Sequence, residues 1–213
     1  MTAYVSTIDD LVLHAPRVLG HASVGRVAER YDLDPDHVED LVLDFATRGW
    51  LAHARFDDTA GWFVTQQGRA EGERRLAAEL DRAGVRDAVA DAHRRFLPLN
   101  RRFASACTDW QVRPTPMDPV AANDHADWSW DERVMRTLEA LDRELPAITE
   151  PLAGCLARFG GYDARYSAAL ARVSGGRRRW VDAPDVDSCH TVWIQLHEDL
   201  LATLGIPRGD DDA

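Results

Sequence analysis

"DLDPDHVEDLVLDFATRGW", residues 32–50, opens on a turn and continues as a helix. Asp34 is a good N-cap, because its short carboxylate can accept from a backbone N–H left over in the first turn. Pro35 fits the first helical position, where no N–H is needed. Val38, Leu41, Val42 and Phe45 recur at helical spacing and give the segment one apolar face, which Gly49 ends. The opposite face carries Asp36, Asp40, Leu43, Asp44 and Thr47.

Upstream, Ile8, Leu11, Val12 and Leu19 predict a first helix, with Pro16 making its end irregular. Ser23 is placed to cap a short second helix in which Val24, Val27, Ala28 and Tyr31 share a face. Downstream, "LAHARFD" and "WFVTQ" are two strand-forming runs joined by the Gly-containing turn "DTAG", the pattern of a β-hairpin. "TQQGRAEGERRLAAELDRAG" then opens another helix. Three helices, a tight turn before the third and a following hairpin describe a winged helix-turn-helix.

The stretch "SVGRVAERYDLDPDHVEDLVLDFATRGWLAHARFDDTAGWFVTQQGRA" resembles the winged helix of the MarR and PadR groups of bacterial regulators. The likeness includes their Thr-x-x-Gly-Arg turn into a long helix, here Thr65, Gly68 and Arg69, and covers residues 8–80, under half of the chain. It implies a DNA-binding fold. The fold alone does not fix the ligand, because winged helices also recognise proteins.

From about Val85 only long helices are predicted. Val85, Val89, Ala92, Phe96, Leu99, Phe103 and Trp110 form a seam, with Pro98 inside it expected to kink or split the helix. "QVRPTPMDPVAANDHADWSW" is a connection long enough to be functional or mobile. Helices follow over about 131–145, 147–159, 162–173 and 187–204. The expected fold class is therefore mainly α. A winged helix-turn-helix over 1–80 precedes an all-α helical bundle over 81–206, for ligand binding or dimerisation, and a disordered tail over 207–213.

Composition narrows the function. Net charge is −11, all 25 cations are arginine, and residues 1–80 carry eight arginines against fourteen acids. Such a chain does not bind nucleic acid nonspecifically or cling to anionic membranes, so any DNA contact must be local. No apolar run approaches the ~20 residues a membrane span needs, and "MTAYVSTIDD" is no secretory signal. Three cysteines without C-x-x-C spacing suit reduced thiols, and a cytoplasmic location is expected.

A helix in the major groove presents Arg, Lys, Asn, Gln or Ser to bases and phosphates. Here it would present three aspartates, with two more carboxylates, Asp57 and Asp58, at the tip of the hairpin. The residues left for DNA are Arg26, Arg30, His37, Thr47, Arg48 and Arg55. The expected function is the first of two, with the second as its alternative. One is a ligand-responsive transcriptional regulator, working as a homodimer on two half-sites. The other is an adaptor whose winged helix presents Leu43 among acids to a protein.

In the helical half, His190, Trp193, His197, Leu200 and Leu204 follow one another by three- and four-residue steps along a seam. The plainer reading makes the histidines core-edge residues. The sharper one places them in a bundle cavity for a small effector, with Trp193 as a wall and Asn100, Cys107, Trp110 and Arg113 opposite. Two turns, about 10.5 Å, separate the histidines, too far to share a metal ion without ligands from elsewhere such as Asp124 and His125. No metal and no cofactor is expected. "GGRRRW", residues 175–180, reads as a solvated loop, or else as a clamp for an anionic ligand or for acidic faces of the first part. Nucleotide-loop and nucleophile-elbow motifs are absent from the sequence, and Cys189 and His190 point about 100° apart on a helix, so no enzyme is expected.

Overall fold

A computed structural model describes residues 2–56 and 59–209. It is mainly helical, with one two-stranded antiparallel sheet. In chain order the elements are α1 (Ile8–Leu19), α2 (Val24–Tyr31), α3 (Pro35–Thr47), β1 (Leu51–Phe56), β2 (Thr59–Val64), α4 (Gln66–Ala83), α5 (Arg86–Gln111), α6 (Trp128–Glu144), α7 (Pro146–Cys155), α8 (Tyr162–Ser174) and α9 (Cys189–Leu204). Short 3₁₀ turns cover Ala157–Phe159 and Arg178–Trp180.

The caps act as the sequence suggests. Ser23 accepts from the N–H of Arg26, and Asp34 from that of Asp36, so α2 and α3 each start with an orphan donor satisfied. Thr65 does more: it accepts from the N–H of Gly68 at 3.0 Å and donates to the carbonyl of Gly49 at 2.6 Å, joining α4 to the end of α3. Gly68 is required there, because a Cβ would sit 1.9 Å from the carbonyl oxygen of Trp50.

β1 and β2 pair from Leu51 opposite Val64 to Phe56 opposite Thr59. Thr59–Gly61, expected within the turn, are therefore strand. Ala22, between α1 and α2, exchanges both backbone hydrogen bonds with Trp62 on the other edge of β2. Gly61 permits that approach, since a Cβ would lie 2.8 Å from the Ala22 carbonyl oxygen.

Two apolar clusters result. The smaller gathers Val12, Leu13, Val27, Val38, Val42, Phe45 and Leu51 from the first three helices and the hairpin. The larger runs along α5–α9 and includes Phe96, Phe103, Leu138, Leu152, Tyr166, Trp193 and Leu200. Of the kink or split expected at Pro98, the split does not occur: one helix runs through Arg86–Gln111. Phe96, Leu99 and Phe103 are buried on both sides of the proline, and that packing outweighs the one backbone hydrogen bond the ring removes. Pro16, likewise, lies inside a continuous α1.

The boundary expected at residue 80 falls inside α4, whose Leu80 belongs to the larger cluster. The first residues cross over as well: Tyr4 pairs with the 155–157 segment through Tyr4 N–H to the Cys155 carbonyl and Ala157 N–H to the Tyr4 carbonyl, both 2.9 Å. α9 packs on α8, α5, α4 and α1, and is buried almost all round. Of the expected loose tail, Arg208 is anchored to Glu198 at 2.6 Å; residues 210–213, like Asp57 and Asp58, lie outside the described residues.

Candidate functional site

The face of α3 turned away from the core exposes Asp36, His37, Glu39, Asp40, Leu43 and Thr47. Leu43 is 50% exposed, in the middle of these acids. Of the residues expected to hold DNA, His37 and Thr47 stand on this surface, while Arg26 and Arg30 do not. Arg30 is a correction: its guanidinium turns inward, lies 4.6 Å from the Tyr162 ring centroid, and donates to the carbonyls of Arg158 (3.1 Å) and Gly160 (3.4 Å). It is not available to a phosphate. Arg26 lines a groove facing α8 instead of continuing the α3 face. Arg48 is held by Asp44 at 2.8 Å and lies over Trp50. Thr47 donates its hydroxyl to the Asp44 carbonyl at 2.7 Å. His37 on α3 and Arg55 on β1 are exposed.

The bundle cavity expected among the seam residues is also corrected. Trp193 is 1% exposed and stacks on Phe103 with ring centroids 4.5 Å apart and planes 10° from parallel. Phe96 and Tyr166 flank it at 5.2 and 5.6 Å. Its indole N–H donates to Asn100 Oδ1 at 2.9 Å. The aromatic rings occupy the space a ligand would need. His190 stacks on Phe103, its pKa lowered by burial, and His197 packs beside Phe96 and His93. Burial, helped by Asp182, pushes the Cys107 thiol up to about 12, so it is no thiolate at neutral pH. Trp110 and Arg113 belong to another neighbourhood: Trp110 packs on His125, 4.4 Å between centroids, and Arg113 reaches Asp127 and Asp124 at 3.4 and 3.5 Å. His125 in turn is bound by Asp131 at 3.0 Å. Among the described residues, no three His, Cys, Asp or Glu side chains gather to hold a metal ion, and no helix is long and apolar enough to cross a membrane.

Between the two apolar clusters lies a buried polar network absent from the sequence reading. Arg158, 5% exposed, donates from Nε to Glu79 (3.1 Å), from Nη1 to Asp199 and from Nη2 to Thr203 (2.7 Å). The second oxygen of Asp199 accepts from the Tyr162 hydroxyl at 2.9 Å, and His14 Nε2 lies 2.9 Å from the first. Ser6 donates to Glu79 at 2.5 Å. Burial pushes the Asp199 carboxyl up, but Arg158, His14 and Arg30 together hold it below the ordinary carboxylate range. Burial lowers the His14 pKa, against a smaller opposing pull from Asp199. His14 is thus neutral at pH 7 and donates Nε2–H to the carboxylate. Two carboxylates are balanced by the guanidiniums of Arg158 and Arg30. A second layer surrounds them: Arg17 binds Glu198 at 2.9 Å and Glu73 at 2.7 Å.

This network belongs to α1, α2, α4, α8 and α9 at once, so it fixes the first two helices against the bundle. Its members all have protein partners, and none presents a reactive group to solvent. Asp199 had one visible signal, since it stands between Leu196 and Leu200 in a run where a solvated acid is out of place. Comparison of the chain with protein-family models, with curated proteins and with solved structures finds no match to any of them.

Proposed function

We propose that residues 8–64 form a winged helix that recognises a protein, and that the chain acts as an adaptor. The carrying observation is the outer face of α3: Leu43 half-exposed within a ring of Asp36, Glu39, Asp40 and Asp44, with the adjacent Arg48 occupied by Asp44. An apolar centre rimmed by one sign of charge suits a partner surface with an apolar pocket and basic rim. It opposes a phosphate backbone.

A second reading, a ligand-responsive transcriptional regulator, keeps support from the order of elements and from exposed His37, Thr47 and Arg55. The two separate in one titration. The full chain is mixed with fluorescent duplex DNA, including the region upstream of its own coding sequence, at about 50 and about 200 mM salt. The adaptor reading expects no sequence-selective binding at either concentration. Selective binding that weakens steeply with salt, and that Arg55→Gln reduces, would replace it by the regulator. Cross-linking in the native host supplies the positive arm, in which partners captured by the wild type are lost on Leu43→Asp.

A further inference from the structure

We propose that the groove between α2 and α8 binds a small organic anion, a carboxylate or phosphate carried on an apolar or aromatic body. The groove has a volume of about 620 Å³, within the range typical of small-molecule sites. One wall comes from α2 with Arg26 and Glu29, the other from α8 with Arg165 and Arg172, continued by Trp180 and the segment 185–187.

Charge sets the first half of the ligand. Four guanidiniums, Arg26, Arg30, Arg165 and Arg172, meet three carboxylates, Glu29, Asp185 and Asp187, in a chain whose net charge is −11. Two of the four are committed, Arg30 to backbone carbonyls and Arg165 to Asp187 at 2.8 and 3.0 Å. Asp185 is itself held from outside by Arg179 at 2.6 Å. Among the described residues, Arg26 and Arg172 have no carboxylate at salt-bridge distance. The Arg172 guanidinium carbon lies over the Trp180 ring, 3.9 Å from its centroid, a contact that uses none of its N–H groups in a hydrogen bond to an oxygen and so keeps them for a two-oxygen acceptor. The carboxylates on the same walls limit the guest to one or two negative charges and turn away a polyanion.

Apolar lining sets the other half. Leu19, Ala168, Ala169 and Val186 lie beside the arginines, with Trp180 at the end. A bare ion leaves that surface wet, whereas a ligand with a ring or short chain covers it. Because Arg26 and Arg172 stand on opposite walls, one bound anion links α2 to α8.

The test uses the full chain and four probes, benzoate, phenyl phosphate, benzyl alcohol and inorganic phosphate, read by tryptophan fluorescence and by the melting temperature. Benzoate or phenyl phosphate is expected to bind with a Kd of about 1 mM or below, and inorganic phosphate and benzyl alcohol about tenfold more weakly. Arg172→Gln and Arg26→Gln are expected each to weaken the aromatic anion about tenfold while the unliganded protein melts as before. Equal binding of benzyl alcohol, unchanged affinity in both variants, or no aromatic anion bound at about 10 mM each overturns the proposal. It stands apart from what α3 recognises: failure here leaves the duplex and Leu43 experiments as they were.

Discussion

Arg158→Met is expected to destabilise the protein by about 3–5 kcal/mol, because it leaves the Glu79 and Asp199 carboxylates buried without their cation. The loss is large beside a typical total stability of about 5–15 kcal/mol. Urea denaturation measures it as a lower midpoint. An exposed pair provides the contrast: Arg102→Gln, which frees Glu144 at the surface, should change stability by less than about 1 kcal/mol. If Arg158→Met costs no more than Arg102→Gln, the network is not what joins the two halves. Asp199→Asn on its own is expected to be costly, and in the double variant the two losses should fall short of their sum.

The same network makes stability depend on pH, with a definite sign. His14 has a lowered pKa in the folded protein, so on acidification the unfolded chain takes up that proton first, near its ordinary 6.5. Its contribution is present above that pH and lost below it. Asp199 is also lowered, from 3.8, so its contribution holds above about 4 and disappears as pH falls further. Both losses run the same way. Denaturation midpoints should fall in two stages, the first beginning below about pH 6.5 and the second below about pH 4, and His14→Gln should flatten the first. A midpoint that rises on acidification contradicts the assignment of His14 as neutral.

Trp193→Ala is the second large effect, expected at about 3–5 kcal/mol, the usual cost of truncating a fully buried aromatic. Phe96 and Phe103 lose their stacking partner, Tyr166 loses a tilted ring contact, and Asn100 Oδ1 loses its donor. A wall of an open pocket behaves otherwise: its truncation leaves stability near the wild type and changes ligand binding alone. The melting temperature therefore decides between core and pocket for this residue.

What was legible in the sequence was local. Ser23, Asp34 and Thr65 announce helix starts because their side chains bond to N–H groups two or three residues away. The seam of α5 is equally plain, as the same 3.6-residue repeat that places Val89, Phe96 and Phe103 on one face is visible in the letters. What could not be read is which charge meets which. Arg158 finds Glu79 and Asp199 across 79 and 41 residues, and nothing near Arg158 distinguishes it from the surface arginines. Arg30 was misplaced for the same reason. On α2 alone it is one more outward cation; only the arrival of Tyr162 and the carbonyls of 158 and 160 turns it inward. The histidine seam of α9 was correctly aligned, but periodicity gives the direction of a side chain and not whether the volume it points into is filled.

The bond between His14 and Asp199 spans 185 residues. A ribosome releases α1 well before α9, so the earlier helix must wait, its polar side chains still in water, until α9 has followed it. Tyr4 waits too, for the carbonyl of Cys155. Closure thus depends on the synthesis of α9, and a nascent chain stalled before α9 would remain open along the side that α9 seals.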